Sequence, residues 1–472
     1  MQSLWGMQTF RRRLSSNTTK VLRKSYDIVI AGGGLVGSCA ACAIASDPLL
    51  QSLRVLVIEP REPKIWKASP ERFSNRVYSV APGTRKLLEE LSAWKTVEAL
   101  RYRPVRRLQV WESASEAAIS FQQPRLDEYV SYVVEDEVLA SAVWTRLGEL
   151  SSQVDVVHNL SAKTYDLPSR RNDMHKKEAG SASRDDSGRE DRVKIVLSDG
   201  TQLETSLLIG ADGPSSAVRQ AMGVQYLNWS YDQKGIVASL QLSEAQDNSV
   251  AWQRFTSLGP IALLPLDEKR SSLVWSTNTE DATRLLALSD EEFLDALNQA
   301  LWEEQDKKQL AGRALEYLDR FIGKFGQRPA NFQQIPPTLT AVDKGSRAAF
   351  PLALGHATRY VVPHVALIGD AAHRIHPLAG LGVNLGFEDV TALRAALRKT
   401  VACGAELGSL PHLLQYETQA QRTVVPVMAA VDSLHRLYST QWTPAVVLRS
   451  LGLNLVNACE PLKGRIMQHA SL

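Results

Sequence analysis

Residues 26–37 have the sequence Tyr-Asp-Ile-Val-Ile-Ala-Gly-Gly-Gly-Leu-Val-Gly. The apolar residues at its start predict a buried strand, and the small residues Ser38–Ser46 that follow it predict a helix. The turn between them has the spacing Gly-x-Gly-x-x-Gly, at Gly32, Gly34 and Gly37. The first glycine permits the tight bend, the second lets a pyrophosphate approach the backbone, and the third lets the helix pack closely on the strand. The segment therefore predicts a Rossmann-like dinucleotide-binding domain.

An acidic residue lies at the expected distance beyond this turn. A second predicted strand, Arg54–Ile58, ends at Glu59, which is 22 residues after Gly37. A carboxylate at this place binds the ribose hydroxyls of the adenosine moiety. These features predict a dinucleotide site, which could hold either NAD or FAD.

A second strand end carries an Asp-Gly motif. The apolar run Leu207–Asp212 is followed by Gly213, Ser216 and Arg219, in the pattern Asp-Gly-x-x-Ser-x-x-Arg. The run predicts a third buried strand that ends in a carboxylate.

A third strand end carries a Gly-Asp motif. The run Val365–Ile368 stops at Gly369-Asp370, and a helical pattern begins after Gly380 and Gly382. Asp370 is a candidate ligand for the hydroxyls of a cofactor chain, and the helix start would present backbone N–H groups to an anionic group. The alternative is a glycine-rich connection that binds no ligand.

The three strand ends, in the order glycine-rich turn, Asp-Gly and Gly-Asp, resemble those of the flavoprotein aromatic hydroxylases of the para-hydroxybenzoate hydroxylase type, from residue 26 to about residue 400. In that family the three segments surround one FAD. The implied fold is α/β, with a discontinuous Rossmann-like FAD-binding domain, an inserted, mostly antiparallel substrate sheet and a C-terminal helical segment. The expected FAD-binding segments are 26–99, 126–227 and 345–400, the expected sheet segments are 100–125 and 228–344, and the expected C-terminal helices are 401–472.

Shorter matches favour the branch of ubiquinone-biosynthesis monooxygenases. They are Ser74–Ser79, Arg101–Arg103, Gly259–Pro265 and Phe350–Leu352 and, for the mitochondrial members of animals, Trp252–Phe255 and Ser272–Thr277. This resemblance implies an FAD-dependent enzyme that uses O₂, through a flavin hydroperoxide, to hydroxylate a polyprenyl-hydroxybenzoate ring, with C5 as the expected position. It also implies a ferredoxin and ferredoxin reductase as electron donors, other ubiquinone-biosynthesis proteins as partners, and peripheral contact with the matrix side of the mitochondrial inner membrane.

The resemblance also implies roles for individual residues. It places Glu59 at the adenosine ribose, Arg76 at the pyrophosphate and Asp370 at the ribityl chain. The full set expected to bind the cofactor is Gly32, Gly34, Gly37, Glu59, Arg76, Asp212, Gly213, Gly369 and Asp370, with Arg219 as part of the Asp-Gly motif. The backbone expected to stabilise the reduced flavin belongs to Gly380, Leu381, Gly382, Val383 and Asn384. The substrate pocket is expected at Pro260, Leu263, Leu264, Phe350 and Pro351.

One residue departs from the family pattern. The family usually has glutamine where this chain has Leu381. A role of the backbone N–H survives this change, whereas a role of the side chain near the flavin does not. Two alternatives therefore stay open: a flavin-loaded assembly subunit that does not turn over, and another FAD oxidoreductase on the same fold.

Composition excludes several other classes. The chain has 472 residues, of which 44% are hydrophobic and 22% charged, and its formal net charge of +3 gives no basis for nucleic-acid binding. Four cysteines argue against a disulfide framework, and Cys39 and Cys42 lie among alanines where packing is the better interpretation. No spacing of His and Cys predicts a metal site. His373 and His376, near the Gly-Asp motif, are interpreted as shaping the turn.

Three further segments carry expectations. Residues 1–25 are basic, contain no acidic residue, and are interpreted as a mitochondrial transit peptide. Residues 168–192 are polar and predict a disordered insertion. Residues 442–459 predict a moderately amphipathic helix that could lie on a membrane surface, dock a partner or pack on the protein itself.

Overall fold

The computed structural model describes residues 22–63, 66, 72–112, 118–123, 125, 127–168, 192–245, 247–256, 258–302, 336–376 and 380–439. The predicted disordered insertion (all but its two end residues), most of the predicted transit peptide, Pro377 and the predicted helix at 442–459 lie outside these residues.

The described residues form strands and α-helices that alternate along the chain. The strands are β1 (Ser25–Ala31), β2 (Val55–Glu59), β3 (Val77–Val80), β4 (Arg103–Val105), β5 (Arg107–Glu112), β6 (Ala118–Gln122), β7 (Ser131–Glu135), β8 (Val154–His158), β9 (Ala162–Asp166), β10 (Val193–Leu197), β11 (Gln202–Gly210), β12 (Tyr226–Leu242), β13 (Val250–Thr256), β14 (Gly259–Pro265), β15 (Arg270–Asn278), β16 (Leu339–Val342), β17 (Ala348–Ala357), β18 (Val361–Val362), β19 (Val365–Leu367) and β20 (His373–Arg374). The α-helices are α1 (Leu35–Ala45), α2 (Pro82–Glu90), α3 (Trp94–Leu100), α4 (Asp136–Glu149), α5 (Ala217–Met222), α6 (Thr279–Ala287), α7 (Asp290–Trp302), α8 (Gly382–Ala402) and α9 (Leu410–Ser439).

A parallel sheet forms the centre of the FAD-type domain. Its strands lie in the order β18-β19-β11-β1-β2-β8, in which β19 to β8 are parallel and β18 is antiparallel to β19. Strands β10 and β9 extend the sheet in antiparallel fashion from β11. In β1, Ala31 is in register with Gly210 of β11 and Ile58 of β2, and Gly210 is in register with Leu367 of β19. Because these four strands run parallel, the three motifs that follow them meet at one edge of the sheet, as the sequence predicts.

A nine-stranded sheet forms the second layer. Its order is β20-β17-β12-β15-β14-β13-β5-β6, with β16 also paired to β12, and all its pairs are antiparallel except β13 with β5. One face packs on α6 and α7 through a core that includes Ile236, Leu263 and Trp275. Helices therefore cover one face of this sheet, and the other face is available to line a site. The α/β fold class with an inserted, mostly antiparallel sheet is thus confirmed.

The nine-stranded sheet includes a strand from a segment expected to belong to the FAD-binding domain. β17 lies within 345–400, yet it pairs along ten positions with β12. Its first four residues are exposed or half-buried and its last six are buried or half-buried, and the long strand β12 is its pairing partner. Segment 345–400 therefore begins in the antiparallel sheet and enters the parallel sheet only at β18.

The remaining elements enclose the parallel sheet. β3, β7 and β4 form a small antiparallel sheet, and α8 and α9 pack against each other at the C-terminal side. Cys39 and Cys42 are buried in α1, and burial raises the pKa of the Cys42 thiol to about 12, as expected for packing residues. Among the described helices, none has the length and apolar character needed to span a bilayer.

Candidate active site

One cavity of about 1820 Å³ connects the edge of the parallel sheet with the face of the nine-stranded sheet opposite α6 and α7. Turns that follow β1, β2, β11 and β19 line one part of it, and side chains of β5, β6, β13, β14 and β17 line another. The three sequence motifs and the inserted sheet therefore share a single site.

The three motif glycines differ in their surroundings. Gly32 has φ +101°, which favours glycine, and makes the tight turn. A Cβ on Gly37 would lie 2.0 Å from the carbonyl oxygen of Gly32, so this glycine is required by the close packing of α1 on β1. A Cβ on Gly34 would meet no protein atom within 4 Å, because Gly34 faces the open space of the cavity. Gly34 therefore leaves space for a ligand at the start of α1.

Glu59 is placed beside this turn at the end of β2. Its Oε2 accepts a hydrogen bond from the Gly33 N–H at 2.7 Å, and its Oε1 accepts one from the Arg61 N–H at 3.1 Å. The side chain is 11% exposed and lines the cavity. Since a carboxylate has about four acceptor positions, Glu59 keeps capacity for ribose hydroxyls.

Asp212 serves both the local fold and the cavity. Its Oδ2 accepts hydrogen bonds from the N–H groups of Ala217 and Val218, at 2.7 and 3.1 Å, at the start of α5. Its Oδ1 is buried and has no hydrogen-bond partner among the described residues. Asp212 and Gly213 both line the cavity. The structure thus leaves one carboxylate oxygen for a bound group, as well as the capping role.

Arg219 of the same motif has a structural role, since it connects two turns by hydrogen bonds. Its Nη1 donates to the Ala371 carbonyl at 2.7 Å, and its Nη2 donates to the Pro214 carbonyl at 2.6 Å. The side chain is buried and is not among the residues that line the cavity. Arg219 therefore ties the Asp-Gly turn to the Gly-Asp turn.

Asp370 lies at the exposed surface of the cavity in a short 3-10 helix, Gly369–Ala371. Gly369 has φ +59°, and its N–H donates to Oδ2 of Asp389 in α8 at 2.8 Å. Nε2 of His373 lies 2.7 Å from the same oxygen. The buried Asp389 therefore binds the backbone before Asp370 and the His373 side chain after it, which agrees with a turn-shaping role for His373.

Arg76 lines the same cavity and lies close enough to Asp370 to be affected by its charge. Its side chain is 69% exposed, and its Nε is 3.8 Å from Asp136 Oδ1. Burial alone would lower the pKa of Arg76, but the neighbouring Tyr78, Asp136 and Asp370 raise it. A permanently charged guanidinium at this place can contact a pyrophosphate.

The start of α8 is fixed by Asn384. Its Oδ1 accepts hydrogen bonds from the Ala81 N–H and the Thr84 hydroxyl, both at 2.9 Å, and its Nδ2 donates to the Ser79 carbonyl at 2.9 Å. The first turn of a helix leaves backbone N–H groups without intrahelical partners. The backbone from Gly380 to Asn384 lines the cavity, so these groups are held rigidly at its surface.

The side chain of Leu381 has an apolar environment. It packs on a cluster that includes Leu354, Ile375 and Leu385. Where the family has glutamine, this chain therefore has an apolar side chain that packs on this cluster, at a residue that also lines the cavity.

The apolar part of the cavity follows the two-residue period of the strands. In β14, Ala262 and Leu264 line the cavity, whereas Leu263 faces the opposite side and is buried against α6 and α7. Of the expected pocket residues, Leu264 and Phe350 line the cavity, and Pro260, Leu263 and Pro351 do not. The expectation for these three differs from the structure because a continuous apolar segment does not indicate which of its residues face the site.

Several lining residues were missed by sequence reasoning. They are Leu108 and Val110 in β5, Ile119 and Phe121 in β6, Phe255 in β13, Arg374 and Ile375 at the end of β20, and Leu434, Leu437 and Tyr438 in α9. The ring of Tyr438 stacks on that of Phe255, with centroids 3.8 Å apart. The alternating apolar pattern of β5 and β6 was the available signal, but nothing in the sequence indicates that the end of α9 reaches this sheet.

His376 lies outside the cavity lining in a buried cluster. Its Nε2 is 3.2 Å from Gln233 Oε1, and its ring stacks on His435 of α9. Burial, together with His435, lowers the pKa of His376 to about 4. This histidine is therefore neutral near neutral pH and joins the turn after β20 to α9.

The hydrogen-bond acceptors and the open space of the cavity fit an FAD. Gly34 leaves room against the backbone, Oδ1 of Asp212 has no partner among the described residues, and Asp370 offers an exposed carboxylate. No group of three or more His, Cys, Asp or Glu side chains among the described residues is arranged to hold a metal ion.

Comparison with known families agrees with this cofactor. The model of the FAD binding domain family matches residues 25–317 and 333–430. The match includes the three motifs and most of the inserted sheet.

Relatives of known name match over the whole length. The mitochondrial ubiquinone biosynthesis monooxygenase COQ6 of Xenopus tropicalis is 45% identical over 477 residues, which are 100% of both chains. The protein of the same name from Homo sapiens is 44% identical and covers 98% of this chain and 95% of its own. The one from Drosophila melanogaster is 40% identical and covers 99% of this chain and 94% of its own.

Solved structures share the fold. The p-nitrophenol 4-monooxygenase PnpA from Pseudomonas putida has a TM-score of 0.64 at 15% identity and covers 95% of this chain and 99% of its own. PqsL of Pseudomonas aeruginosa, in complex with 2-aminobenzoylacetate, has a TM-score of 0.63 at 21% identity and covers 90% of this chain and 100% of its own.

Proposed function

This chain belongs to the FAD binding domain family, together with the mitochondrial ubiquinone biosynthesis monooxygenases, and on that basis we propose the substrate, ring position and partners of its reaction. It is an FAD-dependent aromatic-ring monooxygenase of ubiquinone biosynthesis. Its substrate is a polyprenylated hydroxybenzoate, which it hydroxylates at C5 with O₂.

The observation that carries this proposal is the single continuous cavity. The dinucleotide turn at Gly34 and the apolar face at Leu264 line the same space of about 1820 Å³. Binding of a dinucleotide alone does not require the apolar surface that five strands of the second sheet contribute to this cavity. The arrangement suits a cofactor at one end and an apolar, ring-bearing substrate at the other.

Residues at the ends of β1, β2 and β19, together with Arg76, would hold the FAD. The Gly34 backbone and Arg76 would contact the pyrophosphate, Glu59 the adenosine ribose, and Asp370 the ribityl chain. When bound, FAD supplies the redox chemistry that activates O₂ for insertion into the ring.

The protein supplies electrostatics and a dry space. Backbone N–H groups at the start of α8 would stabilise negative charge on the reduced cofactor, since Asn384 fixes their direction. The stacked pair of Phe255 and Tyr438 would exclude water from the apolar part.

The prenyl chain would lie along the face of the nine-stranded sheet opposite α6 and α7. Side chains of Val110, Ile119 and Phe255 form a buried apolar cluster there, and Phe121 and Tyr438 pack on it. Burial of each methylene group contributes about 0.8 kcal/mol, so a long prenyl chain would gain much of its affinity from this wall.

We propose a location on the matrix side of the mitochondrial inner membrane. The full-length relatives are named as mitochondrial, and the acid-free basic segment at residues 1–25 fits a transit peptide. Exposed apolar side chains of α9, Leu414 at 42% and Val425 at 44%, lie three helical turns apart on one side of the helix. They support peripheral contact with the membrane or with other proteins of the pathway.

The test is turnover with a defined reductant. The FAD-loaded protein is given 3-prenyl-4-hydroxybenzoate, ferredoxin, ferredoxin reductase and NADPH, and the product is identified by NMR. We expect a single new hydroxyl at C5. A hydroxyl elsewhere on the ring would refute the C5 assignment, and turnover with NADPH alone, without ferredoxin, would refute the proposed donors.

A further inference from the structure

Arg374 differs in its environment from the other arginines that line the cavity. Arg61 and Arg76 each lie 3.8 Å from a carboxylate, that of Glu59 and that of Asp136 respectively. Arg374 has no carboxylate within 4.0 Å among the described residues. Its Nη2 donates instead to the neutral carbonyl of Pro351 at 2.8 Å.

The backbone places Arg374 between the two parts of the site. It belongs to β20, whose register partner is Gly355 of β17, and it follows the Asp370 turn by four residues. Phe350 and Ile375 line the cavity beside it. The guanidinium is therefore anchored where the turn that carries Asp370 meets the apolar face.

The chemistry of the guanidinium fits an anion of planar shape. An arginine has five N–H donors in a rigid fork, and the hydrogen bond to Pro351 uses one of them. The remaining donors can bind a carboxylate through two parallel hydrogen bonds, which are stronger in a site shielded from water. A partly buried cation that has no carboxylate within 4.0 Å among the described residues gains most from such a ligand.

We propose that Arg374 binds the carboxylate of the aromatic acid substrate and thereby orients its ring in the cavity. This inference rests on the proposed function, because it requires a benzoate-type substrate. The FAD pyrophosphate is a second anion of the site, but the open backbone at Gly34 and the guanidinium of Arg76, which line the same cavity, are available for it. Arg374 then selects aromatic acids over the corresponding phenols.

The test compares two ligands that differ only in the carboxylate. The FAD-loaded protein is titrated at pH 7.5 with 3-prenyl-4-hydroxybenzoate and with 2-prenylphenol, and binding is followed by the absorbance change of the oxidised flavin. The variant is Arg374→Gln, and the matched control is Arg61→Gln, which alters another cavity arginine. The FAD content of each protein is measured before titration.

The proposal predicts that the wild-type protein binds the acid at least tenfold more tightly than the phenol, as expected for a charge-assisted pair of hydrogen bonds. Arg374→Gln should weaken binding of the acid by about tenfold and leave binding of the phenol within about twofold. Arg374→Lys should keep part of the preference, because it retains the charge without the fork. Arg61→Gln should keep the wild-type preference.

Three results would overturn the proposal, and they have different meanings. An unchanged ratio of acid to phenol in Arg374→Gln, with full FAD content, would show that Arg374 does not bind the carboxylate although the substrate class is right. Loss of FAD from Arg374→Gln, with an unchanged ratio in the protein that remains loaded, would assign Arg374 to the pyrophosphate. Failure of the wild-type protein to bind either ligand would refute the proposed substrate itself.

Discussion

Nε2 of His373 lies 2.7 Å from Oδ2 of Asp389, and both side chains are buried. The same oxygen accepts the N–H of Gly369 at 2.8 Å. Asp389 belongs to α8, whose first turn faces the cavity, while Gly369 and His373 bracket Asp370. One buried carboxylate therefore sets the position of Asp370 relative to the helix start that faces the same cofactor.

Replacing Asp389 should weaken FAD binding. Asp389→Asn loses the charge that holds both donors and leaves His373 without an anionic partner. We expect the dissociation constant of FAD to rise at least tenfold and the free energy of unfolding to fall by about 3–5 kcal/mol. Flavin fluorescence titration and urea denaturation measure the two effects.

A buried histidine on the opposite end of β19 provides the control. Nδ1 of His364 lies 2.9 Å from the Ser206 carbonyl oxygen, and His364 does not line the cavity. His364→Gln should destabilise the protein but leave FAD affinity within about twofold. If Asp389→Asn bound FAD as tightly as the wild-type protein, the turn would not depend on this carboxylate.

The same pair should make stability depend on pH. Burial opposes the charge of His373, but Asp389 and Asp370 raise its pKa above the usual value. A raised histidine pKa contributes stability below the unfolded value of about 6.5, and this contribution is lost as the pH rises through the folded pKa.

The comparison with His373→Gln isolates this contribution. The difference in free energy of unfolding between the wild-type protein and His373→Gln should be larger at pH 6 than at pH 9. Urea denaturation at both values measures it. A difference that stayed constant or grew with pH would mean that His373 is neutral in the folded protein.

Substitution of two glycines of the dinucleotide turn should affect different properties, FAD binding in one case and stability in the other. Gly34→Val places its side chain in the open space beside the backbone, so it should abolish FAD binding and leave the stability of the FAD-free protein nearly unchanged. Gly37→Ala places Cβ 2.0 Å from the Gly32 carbonyl oxygen, so it should destabilise the fold itself. Thermal unfolding of the FAD-free proteins separates the two. Equal destabilisation by both changes would contradict a ligand space at Gly34.

Adjacent leucines of β14 should also separate function from stability. Leu264 faces the cavity, so Leu264→Ala should raise KM for a prenylated acid roughly tenfold and change KM for unprenylated 4-hydroxybenzoate little. Leu263 lies in the core on the other face, so Leu263→Ala should cost about 2–5 kcal/mol of stability. Steady-state kinetics and urea denaturation give both values. If Leu264→Ala raised KM equally for the prenylated and the unprenylated acid, the prenyl chain would not contact Leu264.

Most of the correct predictions about the fold came from short sequence motifs. The glycine spacing at residues 32–37 and the strand ends at Asp212 and Asp370 are short-range patterns, and parallel strand pairing brings them to one edge. The placement of β17 in the antiparallel sheet was not predictable in the same way, because it depends on pairing with β12, more than a hundred residues earlier.

The side chains that complete the site were harder to infer. Alternation in β14 indicates that Leu263 and Leu264 face opposite sides, but only the packing of α6 and α7 decides which side is the core. The contacts of Asp389 and Tyr438 arise from helix packing that no local pattern encodes. Sequence reasoning therefore identified the turns that line one part of the cavity, but few of the apolar side chains that line the other part.

The most direct test of the central claim is the origin of the new oxygen atom. FAD-loaded protein is reduced chemically without air, mixed with 3-prenyl-4-hydroxybenzoate and ¹⁸O₂, and the product mass is measured after one turnover. We predict one labelled hydroxyl on the ring, which requires no natural reductant or partner protein. Reoxidation of the flavin without labelled product would contradict a monooxygenase function, and would favour a flavin-loaded assembly subunit or an oxidase on this fold.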